Sequence, residues 1–352
     1  MALGKILSQY YDYKPKTLAN TKMGNSWNFG TCVPSEVLGP SGIISVNNPL
    51  LRSLSLITDF SCSGEKEECK VDLSSLDHLQ NLCWRAPSAY HVKTLFDAIE
   101  RNSERLQKLE LDFVDWPTLR QSLGLLGGNR DDGPQSAFAS FPVVFGLTRQ
   151  PPQLIFQAIR ELSFTQVPLV AEMAHAINLD TLRSLTMRRC PAWDLFLAHV
   201  TERVTESGLP IQLKTLEIYA TDDVTCGWGY STIGNFLDAF DGLEQLFVAH
   251  PGPRKPRRFW NHVTRHQATL TKFVHHQRSR DFDDGSPHIT KGHDLSNIGM
   301  NTRDWRLREE DPSQNPLATL DLDFLGLCCA PERLVGNGEL LGRSVNADHN
   351  SK

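Results

Sequence analysis

One short pattern recurs along the chain and constrains its fold more than any other feature: an apolar residue, two variable positions, a second apolar residue, one variable position and a third apolar residue. It is met by Leu51, Leu54, Leu56; Leu79, Leu82, Trp84; Leu106, Leu109, Leu111; Ile159, Leu162, Phe164; Leu182, Leu185, Met187; Leu213, Leu216, Ile218; Leu243, Leu246, Val248; Leu270, Phe273, His275; and Leu322, Leu325, Leu327. Successive first positions lie 28, 27, 53, 23, 31, 30, 27 and 52 residues apart. Periods of about 20 to 50 residues mark stacked repeat architectures. Alternate side chains of a strand leave on one face, so the second and third apolar positions enter a core together while their neighbours face out. A strand this short cannot bury its own apolar side, and such units must stack to share one core.

Between the triplets the apolar spacing turns helical. Val92, Leu95, Phe96 and Ile99 fall on one helix face with Ser88 placed as N-cap. Pro191, Trp193, Phe196, Leu197, Val200 and Val204 form another face, closed by Gly208 where a helix should stop. Leu169, Val170, Met173 and Ile177, and Ile233, Phe236, Leu237 and Phe240, make two more. The strand signals are too short and too mixed for the continuous apolar runs of a doubly wound parallel sheet. The expected fold is therefore α/β, an irregular solenoid with a curved parallel sheet and helices on its convex side. The two double-length intervals point to an insertion or a degenerate unit near 124–152 and 279–316. Residues 1–45 read as an N-terminal segment, 46–335 as the repeat domain and 336–352 as a flexible tail.

Several function classes find no support. A net charge of −5 over 352 residues creates no field that draws the chain to nucleic acid. No stretch approaches the roughly 18 apolar residues of a membrane span, and a cytoplasmic or nuclear protein is expected. The eight cysteines (Cys32, Cys62, Cys69, Cys83, Cys190, Cys226, Cys328, Cys329) show no zinc-binding spacing and read as reduced, mostly buried thiols. No Gly-x-x-x-x-Gly-Lys loop occurs, and Cys226 to Gly234 reads as a turn leading into a helix. His275 and His276 are adjacent on a strand, so their side chains leave on opposite faces and do not share a metal. Asp222 and Asp223, and Asp283 and Asp284, sit in polar segments where Asp favours turns. The basic run Arg254 to Arg258 reads as a solvated loop, with nuclear import or anion binding as the alternative. No catalytic residue, cofactor or metal is expected; an enzyme of another class would carry its site in the two inserted segments.

Several segments resemble the leucine-rich-repeat portion of fungal F-box proteins: Asn81-Leu-Cys-Trp-Arg-Ala-Pro87, Ile159-Arg-Glu-Leu-Ser-Phe164 with Val167, Leu182-Arg-Ser-Leu-Thr-Met-Arg-Arg-Cys-Pro-Ala-Trp-Asp194, Phe273-Val-His-His-Gln-Arg278 and Leu325-Gly-Leu-Cys-Cys-Ala-Pro331. The Asn or Cys expected three positions after the third apolar residue is met by Cys190, but Asp59, Pro87 and Val114 stand there in other units. The resemblance implies a leucine-rich-repeat-like solenoid, with repeats that hold a substrate for ubiquitination and an F-box that docks a Skp-type adaptor. Val33-Pro-Ser-Glu-Val-Leu38 echoes an F-box opening, yet Gly39, Pro40 and Gly42 follow where its helix should continue. An intact F-box is not expected. The chain then reads as a shortened relative, a piece of a longer product, or a repeat protein outside the ubiquitin system.

The expected functional surface is the concave face, which such folds present to partner proteins. Period-2 alternation places there Lys108, Glu110 and Asp112; Ser184, Thr186 and Arg188; Thr215, Glu217 and Tyr219; and Gln245 and Phe247. This mixture of charged, polar and aromatic groups suits a protein partner rather than nucleic acid or membrane.

Overall fold

In a computed structural model of the chain, the structure describes residues 24–62, 70–123, 154–208, 210–220, 229–251, 257–278 and 324–325. Among the described residues ten strands form one open sheet, every neighbouring pair parallel and in chain order. The first half comprises β1 (Gly24–Trp27), α1 (Ser35–Leu38), α2 (Ile43–Asn47), β2 (Ser53–Ile57), β3 (Asn81–Arg85), α3 (Ala89–Arg101), β4 (Lys108–Asp112), α4 (Trp116–Ser122) and β5 (Glu161–Thr165). It continues with α5 (Ala171–Ala176), β6 (Ser184–Arg188), α6 (Trp193–Ser207), β7 (Thr215–Tyr219), α7 (Gly229–Asp238), β8 (Gln245–Pro251), α8 (Arg257–Thr264), β9 (Lys272–Arg278) and β10 (Phe324–Leu325).

The apolar triplets set the register. Leu54, Leu82, Leu109, Leu162, Leu185, Leu216, Leu246 and Phe273 are paired across β2 to β9 as one row, and Leu56, Trp84, Leu111, Phe164, Met187, Ile218, Val248 and His275 as the next. All are at most 2 % exposed. The first triplet positions, from Leu51 to Leu270, are buried in the same core. A slip of one residue would turn each row to the other face, which is why the pattern specifies the pairing so firmly.

The backbone repeats as regularly as the side chains. Seven carbonyls ahead of the strands, those of Arg52, Gln80, Gln107, Arg160, Arg183, Lys214 and Glu244, each accept from two successive N–H groups of the following unit. Past the strand ends, the N–H groups of Gly30, Thr58, Ala86, Phe113, Gln166, Arg189 and Ala220 each donate to the last paired carbonyl of the next strand. Buried backbone groups are thereby satisfied at both margins of the sheet.

The structure sharpens several expectations. Lys108–Asp112 of β4 pairs directly with Glu161–Thr165 of β5, and β9 directly with β10, so the strands on either side of each long interval are neighbours in the sheet. Residues 124–153, 279–323 and the expected tail lie outside the described residues. Among the described residues the first strand of the sheet starts at Gly24, upstream of the boundary expected at 46, and Val33, Val37 and Leu38 pack in the same core. Helix α6 starts at Trp193, with Pro191 outside it and Ala192 left-handed, and stops at Gly208 in the left-handed conformation that glycine adopts freely. Leu169, Val170 and Ile177 flank the short α5, and Phe240 follows α7, all buried. Ser88 is the N-cap of α3, but its hydroxyl bonds His91 Nδ1 at 3.1 Å rather than a backbone N–H.

Two buried polar groups tie the core together. Trp84 Nε1 donates to Thr58 Oγ1 at 2.9 Å, and that hydroxyl donates to the Ala86 carbonyl at 2.7 Å. Asn102, which ends α3, accepts from the Leu79 N–H at 2.9 Å and donates to the carbonyls of Leu76 at 2.8 Å and Ala98 at 2.9 Å. At the N-terminal side of the core, α1 turns into α2 across Gly39, where a Cβ would collide with the Ser35 carbonyl. Gly39→Ala should therefore cost about 1–3 kcal/mol through overpacking, read as a lower denaturant midpoint; an unchanged midpoint would contradict this packing.

Candidate protein-binding face

One face of the sheet carries the buried rows; the other is open. Lys108, Ser184, Thr215 and Gln245 lie along one row of the open face, Glu110, Thr186, Glu217 and Phe247 along the next, and Asp112, Arg188 and Tyr219 along the third. All eleven residues anticipated for partner binding are thus brought to a single surface. Thr186 differs from the rest in being 9 % exposed. Its short side chain sits beside the Arg188–Glu217 pair and forms floor rather than contact.

The same rows contain residues that the candidate set left out. Asn81, Cys83 and Arg85 of β3 and Glu161, Ser163 and Thr165 of β5 occupy the equivalent register positions. Their triplets were legible, and the same period-2 reading points to them.

Charges on this face neutralise one another. Arg85 Nη2 lies 2.6 Å from Glu110 Oε1, Lys108 Nζ 3.0 Å from Glu161 Oε2, and Arg188 meets both oxygens of Glu217 at 2.6 and 2.9 Å. Bonds to Glu110 and Glu217 hold the guanidinium groups of Arg85 and Arg188 above their ordinary values, and Glu161 does the same to Lys108. Exposed pairs of this kind contribute only about 0–1 kcal/mol each to folding; their larger effect is to leave little unpaired charge for a partner. The Asp112 carboxylate accepts from the Val114 N–H at 2.9 Å.

Toward β7, β8 and β9 two of the rows carry apolar and aromatic residues among the polar ones. Phe247 lies between Glu217 and Val274 in one row, and Tyr219 beside Ala249 in the next. The guanidinium of Arg189 stands 5.5 Å from the centre of the Tyr219 ring, a cation–π approach. Large aromatic side chains beside self-paired charges are the composition of interface anchors.

Cys190 belongs to the core and not to this face. Its thiol donates to the Phe164 carbonyl at 3.3 Å, bridging β6 to β5, and burial pushes its pKa up to about 12. Reactivity follows the thiolate. At pH 8 iodoacetamide should leave Cys190 unmodified until denaturant is added, as peptide mass spectrometry would read; rapid labelling of the native chain would contradict its burial. Cys83 is half-buried on the open face, and burial followed by the charge of Glu110 raises its pKa as well.

Elsewhere, an open cleft of about 340 Å³ beside α3 is lined by Asp72, Ser74, Thr94, Asp97, Glu100 and Arg101. Among the described residues no group of three or more His, Cys, Asp or Glu side chains is placed to hold a metal, and no helix is long and apolar enough to cross a membrane. His275 packs in the core, its ring 5.3 Å from Phe259 and 6.2 Å from Phe273. Asp222, Asp223, Asp283, Asp284 and the start of the basic run Arg254 to Arg258 lie outside the described residues. No family model, curated protein or solved structure matches this chain.

Proposed function

We propose that the chain is a leucine-rich-repeat-like solenoid that binds another protein on the open face of its sheet. The observation that carries this reading is the unbroken chain-order register from β2 to β9, which gives every unit the same alternation of core and open-face side chains. At about 4.8 Å per strand and 3.3 Å per residue, the eight strands β2 to β9, six of five residues and two of seven, span roughly 34 by at least 16 Å, enough with side-chain relief to approach the roughly 800 Å² that each partner buries in a standard interface. Phe247 and Tyr219 are the anchors, and the paired charges of β3 to β7 form the polar surround.

The resemblance to F-box repeat proteins makes substrate recognition for a ubiquitin ligase the specific form of this proposal. Docking of a Skp-type adaptor would require an F-box, and of the segment that echoes one, Val33, Val37 and Leu38 pack into the sheet's own core. Affinity purification of the tagged chain from extracts of its source, followed by mass spectrometry, tests both levels. Recovery of adaptor and cullin supports the ligase role; their absence with another protein retained leaves binding alone. Phe247→Asp should weaken retention of that protein about tenfold to a hundredfold, the cost of losing one anchor, whereas undiminished retention would remove the open face from the proposal.

A further inference from the structure

His266 repeats the task of Asn102 with a different chemistry. It lies just past α8 as Asn102 lies just past α3, and both are 1 % exposed. His266 Nδ1 faces the Leu243 N–H at 3.4 Å and Nε2 the Leu237 carbonyl at 3.1 Å. Leu243 and Leu79 are the first apolar residues of their triplets, and in each unit 23 residues separate the latch from that N–H. In the β6 unit Arg203, from within α6, performs the related task of donating to the carbonyls of Ala174 and Ile177.

An amide does not titrate, whereas an imidazole satisfies an N–H and a carbonyl together only as the neutral Nε2–H tautomer. Protonation would set a second N–H against that of Leu243 within the core. We propose that His266 is an acid-sensitive latch, through which β8, α8 and β9 open at mildly acidic pH while the units of β4 to β6 remain closed.

The charges around it are already committed. Past α7, Asp241 bonds Arg265 at 3.0 Å, and Asp238 bonds His262 of α8 at 2.7 Å. Ahead of β8, Glu244 pairs with Lys214 at 3.0 Å. The Phe240 ring stands 5.2 Å from the imidazole. Burial holds the imidazole below its ordinary value, against the pull of the Leu237 carbonyl and Asp241. With the folded value below the ordinary one of about 6.5, the opened state binds more protons; the latch acts fully above that pH and is lost as pH falls below it.

Hydrogen exchange read by mass spectrometry at pH 7.5, 6.5 and 5.5 tests this, with rates corrected for intrinsic exchange. In the wild type, peptides within 257–278 should open up to about fivefold more readily at pH 5.5 than at 6.5, and those of β4 to β6 should not. His266→Asn, which copies Asn102, should abolish the response, and Asn102→His should create one in peptides spanning 79–102. A response that persists in His266→Asn would belong to another group, such as the buried His275, and would overturn the proposal. Should His266→Asn fail to fold, Asn102→His decides alone: no acquired pH response overturns it.

Discussion

Leu185→Asp is expected to abolish the cooperative thermal transition of the chain, while Ser184→Asp, one residue away, should melt within a degree or two of the wild type. Leu185 lies in the sixth of ten strands, 2 % exposed, between Leu162 and Leu216 in the core row. Removing a buried leucine side chain costs about 2–5 kcal/mol. An unpaired carboxylate in its place adds several more, against a total stability of about 5–15 kcal/mol for a typical domain. Ser184 leaves on the open face, where substitutions usually stay within about 0.5 kcal/mol. Circular dichroism melts of the pair measure the phase of the strand directly; a soluble Leu185→Asp with an unchanged melt would displace β6 from the core.

Asn102→Ala is the second large effect. The side chain provides the acceptor for the Leu79 N–H and donors for the Leu76 and Ala98 carbonyls, all in buried surroundings. A buried polar group left without a partner costs about 1–3 kcal/mol, and losing this junction should cost about 3 kcal/mol in all. At about 2–4 °C per kcal/mol for a large domain, the melting temperature should fall by roughly 6–12 °C. Calorimetry reads the shift; a change within 1 °C would mean that water substitutes freely for the amide.

Much of the fold was legible because its signal is short-range. The alternation in each triplet states which two side chains enter the core, and the interval between triplets states that the units stack in order. Strand β1 was not legible, because Gly24-Asn-Ser-Trp27 offers Asn25 where the other strands offer an apolar residue and has only Trp27 to pack. That β4 and β5 are neighbours despite the long interval was equally hidden, since only the pairing of Lys108 with Glu161 shows it. Of the open face, the rows could be read and the ion pairs could not: Arg188–Glu217 and Arg85–Glu110 join residues 29 and 25 positions apart. The Asn102 and His266 latches escaped for the same reason, being single polar residues whose partners are distant backbone groups. Cys190 was visible, since the repeat pattern marks its place, and its bond to the Phe164 carbonyl gives the physical reason.

Hydroxyl-radical footprinting of the chain bound to the protein it retains tests the central claim most directly, because it reports which face a partner covers. Tyr219 and Phe247 are reactive reporters on the open face, and Tyr90 and Leu195 are exposed reporters on the helices at 56 and 48 %. Protection of Tyr219 and Phe247 with Tyr90 and Leu195 unchanged is the predicted result. Protection confined to Tyr90 and Leu195 would contradict it and move the interface to the helices.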